Sequence, residues 1–229
     1  MVMEKRGSPP WWLALLGYEL KILKRENVWF VLISLFLVSV VLIFGSSRSR
    51  SYGISVMFFE NMAPLVMLFN ATALLSNDHD HGTIERVFAS PGHRSVVYLR
   101  RFAIVCGVDV TILATLILLW QLDSSAISIP RALMTSIPSA LFLSGLAFFG
   151  AVLVRDSNVG AVISACWWVL NQFAARYGNK GWFGYIFLFK ETYYPGSSTF
   201  AANRLTLLLL GVTLSSLIPL LLRKVERYL

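Results

Sequence analysis

Residues Phe102–Leu122 read FAIVCGVDVTILATLILLWQL, and Asp109 is the only formal charge among them. About 18 or more apolar residues wound as a helix cross a hydrocarbon core roughly 30 Å thick. A helix also satisfies its own backbone hydrogen bonds, which lipid cannot do for it. The same reading extends outward to five further runs: Val28–Gly45, Ile54–Leu75, Ala132–Val154, Ser157–Ala175 and Leu205–Leu222. Together the six runs hold two of the chain's 32 charged residues, Glu60 and Asp109. The expected fold class is therefore all-α: a polytopic membrane protein with six transmembrane helices, forming one transmembrane domain over residues 1–229. A membrane β-barrel is excluded, because its strands alternate polar and apolar residues with period two.

Composition agrees. Mean hydropathy is +0.66, 56% of residues are hydrophobic and 14% are charged, against about 25% charged in ordinary soluble domains. The distribution of cations sets the orientation. Thirteen Lys and Arg fall in the N-terminal arm, the second and fourth connections and the tail, and seven fall on the other side. Both termini and the connection after the second span are thus expected in the cytoplasm. This bias accounts for the net charge of +8. No basic patch interleaved with aromatics points to nucleic acid. No small-residue cleavage site follows a basic region and short apolar core, so the first span is expected to act as its own insertion signal. Cys106 and Cys166 both fall within spans and are expected to be buried, unpaired thiols.

Between the spans, three segments carry information. Residues 10–26 read as an amphipathic helix: Trp12, Leu16, Leu20 and Leu23 share one face, with Lys21, Lys24 and Arg25 opposite, a pattern suited to the membrane interface. The cytoplasmic connection Ser76–Pro91 contains Ile84, Val87 and Phe88 at helical spacing, ended by Pro91-Gly92. An apolar stripe on so short a helix, about 82–90, requires lipid or a partner's groove to cover it. The Asp78-His79-Asp80-His81 run holds metal-capable side chains, yet neighbouring loop ligands cannot all converge on one ion; an acidic turn capping the next helix is the expected role. Finally, Arg176–Arg204 is long, external and rich in aromatics. Its Trp182–Phe189 portion is too short to span and is expected to form a re-entrant or interfacial helix pair, broken by Pro195-Gly196.

No Gly-x-x-x-x-Gly-Lys-Ser/Thr loop occurs, so the chain does not hold ATP by that route. Glu60 and Asp109 lie at opposite depths and need not pair. Acids inside a span are functional candidates by default, while bonds to Ser, Thr or Asn in the bundle interior are the structural alternative. Neither acid has a second carboxylate at helical spacing, and no intramembrane Ser/His pair or His-Glu-x-x-His motif is present. The chain is accordingly not expected to be an enzyme.

The order Glu19-Leu20-Lys21-x-x-x-Arg25, two spans, then Gly82-Thr83-Ile84-Glu85-x-x-x-x-Ser90-Pro91 resembles the membrane (permease) subunit of ABC-2-type exporters. The family pattern often has Glu-Arg or Glu-Lys before the glycine, where this chain has Asp-His pairs. The resemblance implies that residues 10–26 form an elbow helix. Gly82, Thr83, Ile84, Glu85, Val87 and Phe88 would form a coupling helix docking on a separate ATPase subunit. It implies two ATPase subunits carrying ATP and Mg, a second permease subunit in a homodimer or related heterodimer, and no cofactor on this chain. The localisation implied is a cell membrane, such as the bacterial inner membrane. The cargo expected is hydrophobic or amphipathic: lipid, peptide or antibiotic. Glu60, Asn61 and Asn70 are candidates for the cargo pathway, and Trp182, Phe183, Tyr185, Tyr193 and Tyr194 for an external gate. A haem-exporter-like permease, and a non-transporting membrane scaffold or sensor partner of an ATPase, stand as alternatives.

Overall fold

The computed structural model describes residues 52–80, 94–123, 127–154 and 156–226. The elbow helix, the first span and the coupling helix at 82–90 lie outside the described residues. Within them every regular element is helical and no strand occurs. In chain order these are α1 (Tyr52–Met57), a π turn (Phe58–Met62), α2 (Ala63–Asp80), α3 (Arg94–Asp123), α4 (Ile129–Val154), α5 (Ser157–Phe173), a 3₁₀ turn (Ala174–Tyr177), α6 (Phe183–Ile186), α7 (Lys190–Tyr193) and α8 (Phe200–Glu226).

Three of these helices contain segments long and apolar enough to cross a membrane: Phe102–Gln121, Ile129–Val154 and Phe200–Leu221. The protein is thus membrane-embedded through at least these. The other long segments are shorter as regular helices. A π turn interrupts α1–α2, and α5 passes into its 3₁₀ turn after 17 residues. Successive long elements run in alternate directions. Trp120 near the end of α3 donates to Ser55 in α1 at 3.0 Å, whereas Phe102 near its start packs with Ala71 in α2 and Phe148 in α4.

Helix α4 occupies the centre. In its spanning window 67% of residues are buried, against 39% for α3 and 22% for α8. Lipid gives apolar side chains no reason to leave it, so helices in a membrane associate through close backbone approach at small residues. On α4 that rule is followed on two sides. A Cβ placed on Gly145 would lie 2.8 Å from the Gly211 carbonyl oxygen in α8. On the other side, a Cβ on Gly160 in α5 would lie 2.2 Å from the Ala147 carbonyl oxygen. Ser164 of α5 adds a hydrogen bond to the Leu143 carbonyl at 3.0 Å. Asp156 caps α5 by accepting from the Asn158 amide at 2.8 Å.

The apolar core falls into three clusters. At the α1 end, Val56, Phe59, Leu116, Ile117 and Trp120 pack together. At the opposite end, Ala71, Phe102, Phe148, Ala151 and Ile218 do so. The third cluster joins Leu68, Phe142, Leu143 and Leu207 of the long helices to Phe187, Leu188 and Phe189 of the connection before α8. That connection therefore folds into the bundle.

Two expectations need correction. Cys106 is buried, but Cys166 is exposed on α5; both are unpaired. The helices α4 and α8 also begin earlier than the apolar runs Ala132–Val154 and Leu205–Leu222, so Arg131 and Arg204 lie within their first two turns. A cation at the edge of an apolar run reads as loop until a buried partner is known.

Candidate functional site

Pro64 lacks the N–H that would close an α-helical bond onto the Glu60 carbonyl. The ladder slips just there, into the π turn Phe58–Met62. π turns inside helices often accompany functional side chains, and this one holds Glu60 and Asn61. The Asn61 side-chain amide donates back to the Met57 carbonyl at 3.0 Å.

Glu60 is wholly buried. Its carboxylate accepts the backbone amide of Glu191 at 2.9 Å and that of Thr192 at 2.6 Å, and it pairs with the Arg204 guanidinium from α8. Arg204, 2% exposed, also donates to the Leu188 carbonyl at 3.0 Å and to the Ser139 hydroxyl of α4. Glu191 in turn accepts from Arg131 of α4 at 2.6 Å and from the Tyr52 phenol. Two carboxylates and two guanidiniums thus pair across the π turn, α4, α7 and α8, and the Tyr52 phenol of α1 joins them. Such a set is stable in an apolar interior only because each charge has an opposite partner and further hydrogen bonds.

The rest of segment 174–199 is tied down by neutral and cationic groups. Asn203 donates to the carbonyls of Gly184 and Phe187 at 3.1 and 3.0 Å. Asn171 of α5 accepts from the Leu188 amide at 3.0 Å. The Lys190 ammonium donates to the Gly178 carbonyl at 3.0 Å and to the Asn179 side chain at 2.7 Å. Tyr194 donates to the Ala175 carbonyl at 2.6 Å. Burial, then the nearby Arg204, pushes the Lys190 ammonium below its ordinary value. Burial, then the Glu191 carboxylate, holds the Tyr52 phenol above its own. A segment without long regular structure has many backbone groups to satisfy when buried; here side chains from the surrounding helices do it.

The aromatics of this segment divide by depth. Phe187 and Phe189 are fully buried and meet edge to face at 6.0 Å, with Trp168 of α5 against Phe189 at 5.8 Å. Of the sequence-predicted gate residues, Trp182, Tyr185 and Tyr193 are exposed, whereas Phe183 and Tyr194 are half-buried and pack against the third cluster. The buried Phe187-Leu188-Phe189 wedge is the part that fills the bundle.

The candidate cargo-pathway residues have their polar atoms engaged within the chain. Asn61 accepts from Gln172 and, through its carbonyl, from the Trp168 indole at 3.3 Å. Asn70 donates to Asp109 at 2.6 Å. Glu60 and Asp109 do not meet, as their depths implied. The Asn70–Asp109 bond crosses between α2 and α3, and the second Asp109 oxygen is buried with no donor among the described residues. Asn70→Leu should then cost about 1–3 kcal/mol, the penalty for stranding a buried polar group. The pair Asn70→Leu/Asp109→Leu should recover most of it. Chemical unfolding of the two variants in detergent checks this; a double variant no better than the single one would refute the pairing.

Arg131, Asn171, Lys190, Glu191, Asn203 and Arg204 were not marked as site residues by sequence reasoning. The signal present was only the concentration of cations and aromatics between 176 and 204. Among the described residues no group of three His, Cys, Asp or Glu could hold a metal ion. The arrangement pairs charges and fastens a segment. No family model matches the chain, and comparisons with curated proteins and with solved structures gave no match.

Proposed function

We propose that this chain is the permease subunit of an ATP-driven exporter of the ABC-2 type, moving a hydrophobic or amphipathic cargo across a cell membrane. The observation that carries the reading is the Gly82-Thr83-Ile84-Glu85…Ser90-Pro91 motif. It stands in the connection joining α2, which ends at Asp80, to α3, which starts at Arg94. In this reading the described helices belong to a six-span subunit with both termini in the cytoplasm, paired with a second permease subunit and two ATPase subunits.

Closure of the ATPases on ATP would pull the coupling segment. Helices α1, α2 and α3 would follow together, since Asn70–Asp109 joins α2 to α3 and Ser55–Trp120 joins α1 to α3, and would tilt as a rigid body. The π turn lies at the far end of that lever, with Glu60 holding the wedge segment. Motion of α2 would therefore load the Glu60 contacts to Glu191, Thr192 and Arg204, and so release the exit. Glu60 and Asn61 serve the latch in this scheme; the aromatic face of Trp182, Tyr185 and Tyr193 guards the external opening.

The test is at the coupling segment. Ile84→Asp places a charge on the apolar stripe and Glu85→Ala removes its anion. Both variants are expected to insert normally, lose most co-purification of the ATPase, and reduce cargo-stimulated ATP turnover about tenfold or more, equivalent to about 1.4 kcal/mol of docking energy. Unchanged co-purification and turnover in both would sink the assignment.

A further inference from the structure

The two acids of the apolar runs, Glu60 and Asp109, are held in different ways. Glu60 has a guanidinium and two backbone amides. Asp109, 4% exposed, has the side-chain amide of Asn70 at 2.6 Å on one oxygen. Its other oxygen is buried with no partner among the described residues. We infer that Asp109 is a proton-binding site, its carboxyl held as the neutral acid between α2 and α3. The inference rests on the membrane embedding of α3 and is independent of the exporter reading.

Counter-charge decides between the ion and the acid. A charge taken out of water is tolerated when an opposite charge and further hydrogen bonds replace its hydration; a buried group lacking them gives up its charge. None of the six apolar runs contains Lys, Arg or His. The residues Ala63–Leu75 of α2, Ala132–Val154 of α4 and Leu205–Leu222 of α8 hold no titratable side chain at all. On α3 itself the titratable neighbour is Cys106, one turn away, and a thiol supplies no positive charge. Arg100 and Arg101 lie nine and eight residues before Asp109, roughly 12–14 Å along the helix at 1.5 Å per residue. Toward the start of α3, water is kept out by Ala71, Phe102, Cys106, Phe148, Ala151 and Ile218, where the Phe102 and Phe148 rings stack at 4.9 Å.

A metal ion does not fit in the proton's place. Hard cations collect about six or more oxygen ligands, whereas a single neutral amide bonds Asp109. A proton needs no such shell. It removes the charge and leaves the Asn70 bond in place, because the Oδ1 carbonyl of the neutral acid still accepts. Loss of the proton puts an unpaired charge among apolar side chains, which water entering between α2 and α3 would have to relieve. The contact between these helices is therefore proton-dependent.

Infrared spectroscopy of the chain in mild detergent at neutral pH is expected to show the carbonyl stretch of a protonated carboxyl group. The band should shift when the chain is made with aspartate isotopically labelled at its side-chain carboxyl, and should disappear in Asp109→Asn. No such band, a band indifferent to the aspartate label, or one retained in Asp109→Asn would overturn the site. The labelled parent chain reports the proton whether or not the variant folds. Chemical unfolding gives a second arm. The folded parent holds one proton that the unfolded chain releases, so its stability falls as pH rises: the unfolding equilibrium constant should grow by up to about tenfold per pH unit. In Asp109→Asn there is no such proton to lose, and the dependence should weaken by the same factor. Parallel pH profiles of parent and variant would mean a carboxylate charged in both states, and would overturn the inference.

Discussion

Glu60→Ala is expected to destabilise the protein by about 3–5 kcal/mol, the range seen when one partner of a buried ion pair is removed. Three donors lose their acceptor at once: the Arg204 guanidinium and the backbone amides of Glu191 and Thr192. For a chain of this size the shift corresponds to a fall in Tm of about 6–20 °C. The damage should also be local. Limited proteolysis should open segment 174–199 first, because the Glu191 and Thr192 amides lose their acceptor and Arg204, which also holds the Leu188 carbonyl, loses its counter-charge. The pair Glu60→Leu/Arg204→Leu should recover part of the loss, since no buried charge is left unpaired; the two amides would still lack an acceptor. A single variant that melts like the parent, with the segment still protected, would refute the latch.

The second large effect concerns backbone contact. Gly160→Leu should separate α5 from α4, since even its Cβ would stand 2.2 Å from the Ala147 carbonyl oxygen and 2.7 Å from the Ala151 amide nitrogen. Neither is a flexible side-chain end, so the helices themselves must move. Overpacking typically costs about 1–3 kcal/mol and occasionally more, and this site belongs at the upper end. Gly107 supplies the contrast. A Cβ there meets nothing within 4 Å, and the residue lies inside α3. Gly107→Ala is therefore expected to be neutral or to stabilise by up to about 1 kcal/mol, because alanine loses less backbone entropy in a helix. Thermal unfolding of both variants in the same detergent checks the pair. Equal melting temperatures would show that α4 and α5 do not rely on that close approach.

These two effects mark where sequence reading succeeds and where it stops. The starts and ends of Phe102–Leu122, Ala132–Val154 and Ser157–Ala175 lie within a few residues of α3, α4 and α5, apart from the polar extension of α3 back to Arg94. Hydropathy is a local property, and a run of apolar side chains carries its own reason to be helical in lipid. The short helices before the last long one were also legible, from a run too short to span and a Pro195-Gly196 break; Gly196 takes φ +74°, which favours glycine. The partners of Glu60 were not legible. Glu60 and Arg204 are 144 residues apart, Arg131 and Glu191 are 60 apart, and no periodic pattern links such positions.

By itself the sequence determined that this is a helical protein built for lipid, with apolar runs in α3, α4 and α8 long enough to cross it. It also located two acids inside apolar runs. Only the tertiary structure decided what those acids do: Asp109 bonds Asn70 between two helices, and Glu60 fastens the segment before α8. The physical reason is that burial in lipid is selected residue by residue along the chain. The pairing of a buried charge instead depends on which distant residue the helix packing brings within hydrogen-bond reach.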